Sequence, residues 1–297
     1  MYQKITTFET TSFLLREMIN EIPSIDYFLR MIIRPVFLLL LSCIALPACK
    51  PEQEEIPADE GKIIVLMYHR IVEDTPENLY ERSLRDLESD IKYLITNNIT
   101  IIDFNDLGSV LTGNKKSYGN SAIITFDDGD CSWYSLVRPL LERYRIKATF
   151  FLWTDMIGKD SFISWEEVEN MSHYAISPGI RPFTFGSHSC SHPFLHQSRD
   201  SFSTNEDYNS FLDYELGASR QIIEKHTPGS VQVFALPYGD GAGDSDIIDA
   251  AIRNGYEFIR TSIWGTIDTP STDPFLIPCL PMLDSTDPEL IGAYLGL

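Results

Sequence analysis

The sequence predicts an α/β fold: a distorted (β/α) barrel of seven or eight parallel strands. Three observations predict it. From Gly61 onward, short apolar runs alternate with amphipathic stretches. The runs are continuously apolar rather than alternating, which marks strands of a parallel sheet buried on both faces. The chain has 297 residues, 43% of them hydrophobic, enough for one large domain with a core and within the size of a single barrel. An open doubly wound sheet is the competing architecture.

The strand-like runs are, in order, Ile63–Tyr68, Thr100–Asp103, Ala122–Phe126, Ala148–Trp153, Phe183–Gly186, Val231–Leu236, Glu257–Thr261 and Phe275–Leu280. Helical stretches fall between most of them: Leu84–Thr96, Tyr134–Tyr144, Trp165–Tyr174, Tyr208–Lys225 and Ser245–Asn254. In the first of these, Leu87, Ile91, Leu94 and Ile95 recur at helical spacing with charge between them. No glycine-rich phosphate loop, internal repeat or low-complexity tract interrupts the pattern.

Upstream of this domain the chain reads as a targeting segment. Met31–Cys49 (MIIRPVFLLLLSCIALPAC) places Arg34 before a short apolar run, Pro35–Ala45. That run is shorter than the roughly 20 residues of a membrane span and fits a signal peptide. It ends in Leu46-Pro47-Ala48-Cys49, which resembles a bacterial lipobox with Cys49 the lipidated residue. The acidic, Pro-bearing stretch that follows suits a linker. The expected organisation is an upstream segment over 1–30 with Met31 a candidate true start, a lipoprotein signal peptide over 31–48, a linker over 49–60, and one domain over 61–297. The protein is then exported and anchored to the bacterial cell envelope by lipid alone.

The formal charge is −20. Residues 1–48 carry four basic side chains (Lys4, Arg16, Arg30, Arg34) and four acidic ones (Glu9, Glu17, Glu21, Asp26), so the whole excess lies in 49–297. Such a surface repels phosphate backbones, which argues against nucleic-acid partners. Outside the signal, Cys131, Cys190 and Cys279 are odd in number, so no disulfide framework is indicated and buried small hydrophobes are expected. The pattern specifies no oligomeric state.

Three polar clusters stand at the carboxyl ends of predicted strands, the end at which barrel sites form. Thr125-Phe126-Asp127-Asp128-Gly129 places two adjacent carboxylates after an apolar run. Such a pair is costly unless a cation or a proton separates their roles, although Asp-Asp-Gly is also a common strand-exit turn. In Gly186-Ser187-His188-Ser189-Cys190-Ser191-His192-Pro193 the two histidines at i and i+4 would face one way on a helical turn, within reach of one metal ion. A pair of surface histidines is the bland alternative. Phe234-Ala235-Leu236-Pro237-Tyr238-Gly239-Asp240 fixes a tight strand-exit turn. Its backbone N–H groups could face the barrel mouth, or the turn could be only a turn.

Together and in this order, TFDDG, HSxxH and PYG resemble the polysaccharide deacetylase family (carbohydrate esterase family four). The likeness runs from about Ile63 to Pro281 and includes VLMYHRI at Val65–Ile71, KATFF at Lys147–Phe151, ISWEE at Ile163–Glu167 and Gly255-Tyr256. The resemblance implies a metal-dependent deacetylase of acetylated polysaccharide. Asp128, His188 and His192 would hold one divalent ion, zinc by default, with cobalt, nickel and iron also suited to mixed N/O ligands. Asp127 would be the general base, and the backbone N–H of Tyr238 would stabilise the oxyanion.

Two departures follow. The late histidine that supplies the proton in much of the family has no counterpart, since none occurs after His226. His69 in Tyr68-His69 resembles the first strand of the poly-N-acetylglucosamine deacetylase branch, where a circularly permuted arrangement brings the acid from the amino-terminal strand. Ala235 stands where many members carry an Arg paired with the catalytic Asp, and Cys279 where another Arg is frequent. Trp264, Trp153, Tyr238 and Phe126 are candidates for an apolar sugar-facing wall. The resemblance leaves two other readings: an O-acetyl esterase of the xylan type, and a glycan-binding lipoprotein without turnover.

Overall fold

The computed structural model describes residues 61–115, 118–268 and 271–297. The signal peptide, Cys49 and the linker lie outside these residues. The strands are β1 (Ile63–Tyr68), β2 (Arg70–Val72), β3 (Glu81–Ser83), β4 (Thr100–Ile102), β5 (Ser121–Asp128), β6 (Ala148–Leu152), β7 (Phe183–Ser187), β8 (Val233–Ala235), β9 (Phe258–Trp264) and β10 (Ile277–Pro281). The helices are α1 (Leu84–Thr96), α2 (Phe104–Leu111), α3 (Arg138–Tyr144), α4 (Trp165–His173), α5 (Asn205–Leu212), α6 (Ser219–His226), α7 (Ser245–Arg253) and α8 (Glu289–Leu295).

Seven strands close a parallel ring in the order β1-β10-β9-β8-β7-β6-β5, with β5 returning to β1. The ring is a barrel, as expected, rather than an open sheet. Its distortion comes from β4, which pairs with the lower half of β5 (Ile102 opposite Ile123) while β6 takes the upper half (Thr125 opposite Thr149). Its thinnest seam is β7–β8, joined at Ser187 and Phe234. Strands β2 and β3 form a separate parallel pair.

The period of two explains why β1 is apolar throughout. Ile63, Val65 and Met67 pack inward with Ile123, Phe151, Ala235 and Cys279, while Ile64, Leu66 and Tyr68 meet the surrounding helices. Helix α2 joins the inner cluster, with the Phe104 ring against Phe151 and Phe258. No helix among the described residues is long and apolar enough to cross a membrane.

Local chemistry sets the helix boundaries. Helix α1 spans the expected residues and is capped by the Ser83 hydroxyl, which accepts from the Asp86 N–H. Helix α4 begins with a reciprocal capping box between Ser164 and Glu167. The stretch Tyr134–Tyr144 is divided: a wide π-type turn over Trp133–Val137 precedes α3, which has Pro139 in its first turn. The stretch Tyr208–Lys225 is α5 and α6 joined by a second wide turn, Asp213–Ala218. Helices α2 and α8 and the short strands β2 and β3 carry too few residues for a periodic signal in the sequence.

Candidate active site

The cleft at the carboxyl ends of the strands has a volume of about 520 Å³ and is lined by Asp127, Asp128, His188, His192, His69 and Tyr238 among others. All six residues singled out in the sequence therefore reach one cavity.

Strand β5 runs two residues beyond its apolar core, so the carboxylates sit on the strand itself. Asp127 continues the inward set of Ile123 and Thr125. A regular strand would turn Asp128 to the opposite face. Instead Asp128 adopts φ +87°, a left-handed conformation uncommon for a residue with a side chain, and this brings the second carboxylate into the same cleft. Gly129 follows at φ +103°, where a Cβ would stand 2.7 Å from the Ile157 side chain. Of seven non-glycine residues with positive φ among the described residues, four belong to this cleft or its loops: Asp128, Ser189, His192 and Tyr238. Strain concentrated in this way is typical of functional sites.

The histidines do not share a helical turn, contrary to the expectation from their spacing. Residues 188–192 form a loop after β7, with Ser189 and His192 left-handed. The Ser189 hydroxyl accepts from the His192 N–H at 2.9 Å, and this bond folds the loop back so that both rings face the carboxylate. The Nδ1–H of His188 donates to the Ala235 carbonyl at 2.8 Å, which leaves Nε2 as the free acceptor. Ala235 thus serves through its backbone.

The ligand atoms of Asp128, His188 and His192 all lie within 4.8 Å of one another. Asp128 Oδ1 is 3.5 Å from Nε2 of each histidine. That is long for hydrogen bonds, yet close to the roughly 3.4 Å between tetrahedral ligands about 2.1 Å from one ion. Burial pushes His188 down to about 3 and His192 down to about 4, which keeps both rings neutral. Burial pushes the Asp128 carboxyl up to about 6, against the pull of His69. Two neutral imidazoles and one carboxylate suit a borderline divalent cation.

Asp127 is 2% exposed. Arg260, fully buried on β9, grips its Oδ2 through Nη2. Below the guanidinium lies the Phe151 ring, 5.3 Å away, and beside it the Met67 sulfur at 2.9 Å from Nη1. Burial alone would raise the Asp127 pKa. Arg260 first, then His188 and His69, outweigh it and hold the carboxyl below its ordinary value. Asp127 Oδ1 is buried and has no hydrogen-bond partner.

Arg260 takes the place at Asp127 that Ala235 leaves empty. The arginine absent from the Pro-Tyr-Gly strand is replaced by one from the neighbouring strand, and β8–β9 pairing sets Ala235 opposite Arg260. The signal was present in the sequence: a charge inside the run Phe258-Ile259-Arg260-Thr261 must find a buried partner. Cys279 is buried in the barrel interior with its thiol toward the Thr261 carbonyl, and burial pushes it up to about 11. Among the described cysteines all three are free. Cys131 is exposed, contrary to the expected burial.

His69 lies between β1 and β2, its ring centroid 5.0 Å from that of Tyr80. Tyr238 forms the exposed rim, stacked on Phe194 at 4.0 Å and edge-on to His192 at 4.5 Å. Trp153 stacks on His192 at 4.7 Å and Trp264 stands exposed at the cleft edge. Phe126 is fully buried in the outer core and forms no part of the wall. Leu79 and Tyr80, which carry no motif, complete the rim. His196 pairs with Asp244, His226 with Glu169, and His173 Nδ1 meets the Glu169 carbonyl, so these three histidines serve locally.

Residues 114–259 match the family model for polysaccharide deacetylase. The poly-beta-1,6-N-acetyl-D-glucosamine N-deacetylase of Staphylococcus epidermidis is 23% identical over 264 residues, covering 82% of this chain and 87% of the relative. The deacetylase PplD of Streptococcus pyogenes, solved in complex with acetate, superposes with a TM-score of 0.67 at 20% identity, covering 79% of this chain and 98% of that one. IcaB of Ammonifex degensii superposes at 0.63 with 21% identity, covering 80% and 96%. These structural likenesses establish a shared fold.

Proposed function

Since the chain belongs to the polysaccharide deacetylase family, we propose that it hydrolyses the N-acetyl groups of an N-acetylglucosamine-type polysaccharide, releasing acetate. The observation that carries this reading is the pairing of a three-ligand group with an unpartnered, buried carboxylate oxygen, Asp127 Oδ1. A protein that only binds glycan has no use for a general base beside a metal site, and Arg260 holds Asp127 although Ala235 supplies no side chain to do so.

Asp128, His188 and His192 would hold one divalent ion, zinc by default. When bound, such an ion acidifies water and polarises an acetamide carbonyl. Asp127, fixed by Arg260, accepts the proton of the attacking water through Oδ1. The Tyr238 N–H, carried on the left-handed turn of Pro237–Gly239, donates to the oxyanion that develops on the carbonyl oxygen. His69 donates a proton to the departing nitrogen as the C–N bond breaks, leaving acetate and a free amine. Trp264, Tyr238 and Tyr80 offer apolar faces to the sugar rings. Cys49 in its lipobox-like setting supports export and lipid anchoring of the mature chain.

The test is acetate release from N-acetylglucosamine oligomers. Activity is expected with a divalent metal, to vanish with chelator, and to return on adding zinc or cobalt. Absence of release with zinc, cobalt, nickel and iron alike would overturn the reading. His69→Ala separates amide from ester chemistry, because an alkoxide leaves more readily than an amine. The variant is expected to lose amide hydrolysis by about 10²–10⁴-fold while retaining most hydrolysis of an aryl acetate. Equal losses on both substrates would remove His69 from the acid role.

A further inference from the structure

A third carboxylate, on no motif, is hydrogen-bonded to the histidine loop. Glu215 is 2% exposed. Its Oε2 accepts from the backbone N–H of Cys190 at 3.0 Å and of Ser191 at 2.9 Å, and its Oε1 from the Ser191 hydroxyl at 2.6 Å. All three donors lie between His188 and His192. One buried side chain therefore holds the span that sets the distance between the two rings.

The backbone beneath Glu215 is built to present it. Residues Asp213–Ala218 form the wide turn between α5 and α6. Wide turns release backbone carbonyls from regular pairing and recur at functional sites. Here the released groups have dedicated partners: the Ser219 hydroxyl donates to the Glu215 carbonyl at 2.7 Å, and the buried Tyr256 hydroxyl to that of Leu216 at 2.8 Å. Gly217 lets the turn approach Asn254, whose side-chain oxygen would stand 2.3 Å from a Cβ. Ser219, the first residue of α6, also bonds the Ser187 hydroxyl at 2.6 Å, and Ser187 accepts from the Ser189 N–H, so the start of the loop is tied to the same segment as its middle.

We infer that Glu215 is a positioning residue that holds the 188–192 loop in metal-binding geometry. The inference rests on Asp128, His188 and His192 being the metal ligands, and the experiment separates the two claims. Cobalt(II) is titrated into metal-free full chain, read by calorimetry and by its visible absorption, for the parent, His188→Ala, Glu215→Ala, Glu215→Gln and Glu215→Asp. Parent binding of one ion, lost in His188→Ala, upholds the ligand set; no binding by the parent overturns both claims. Glu215→Ala is expected to bind about 10–100-fold more weakly, with an altered absorption band. Glu215→Gln recovers most of the affinity, because its carbonyl oxygen still accepts both N–H groups and its amide can donate to Ser191. Should Glu215→Ala not fold by circular dichroism, Glu215→Asp carries the test, since it keeps the charge but falls one carbon short of the loop. Parent-like affinity and absorption in a folded Ala or Asp variant would overturn the role of Glu215 and leave the ligand set standing.

Discussion

Asp127→Asn is expected to reduce acetate release by about 10²–10⁴-fold while leaving cobalt affinity within about threefold of the parent, a general base typically contributing this much. Asn keeps the shape and an acceptor for Arg260, and the three proposed ligands are untouched. What it loses is the capacity of Oδ1, now buried and unpartnered, to take a proton from water. Single-turnover acetate release alongside a metal titration checks both halves. A variant that loses rate and metal affinity together would show Asp127 to be a ligand rather than a base.

Arg260→Met is expected to carry the largest cost in stability. The Arg260–Asp127 pair is buried on both sides. Removing one member of such a pair leaves an uncompensated charge and costs about 3–5 kcal/mol, a fall in melting temperature on the order of 10 °C for a domain of this size. The effect on activity has a definite direction. Burial raises the Asp127 pKa and Arg260 is its chief counterweight, so without the arginine the carboxylate form survives only at higher pH. The acidic limb of the pH–rate profile should therefore move to higher pH. Adding Asp127→Asn to Arg260→Met removes the stranded charge and should recover most of the lost stability, although not the activity. Additive losses in the double variant would mean that the two side chains are not coupled.

The barrel was legible because buried parallel strands must be apolar on both faces, and runs such as Ile63–Tyr68 and Ala148–Leu152 are buried along their whole length. The candidate site was legible wherever its residues sit close together in sequence: the Asp pair, the histidine pair and the Pro-Tyr-Gly turn. Arg260 and Glu215 were not singled out, because each meets its partner across a long separation. Arg260 reaches Asp127 over 133 residues, and Glu215 reaches Cys190 over 25 through a local widening that no periodicity announces.

By itself, then, the sequence determined the class of fold, the end of the barrel at which the candidate site lies, and the identities of the two carboxylates and three histidines in the cleft. Hydrophobic period and strand-end motifs are local properties, readable within a window of ten residues. Only the tertiary structure decided how those groups are aimed. The left-handed turn of Asp128 and the non-helical histidine loop are backbone geometries that no residue period announces, and Arg260 meets Asp127 from a distant segment. Buried charges must find partners wherever the closed ring brings them, and ring closure is a property of the whole chain.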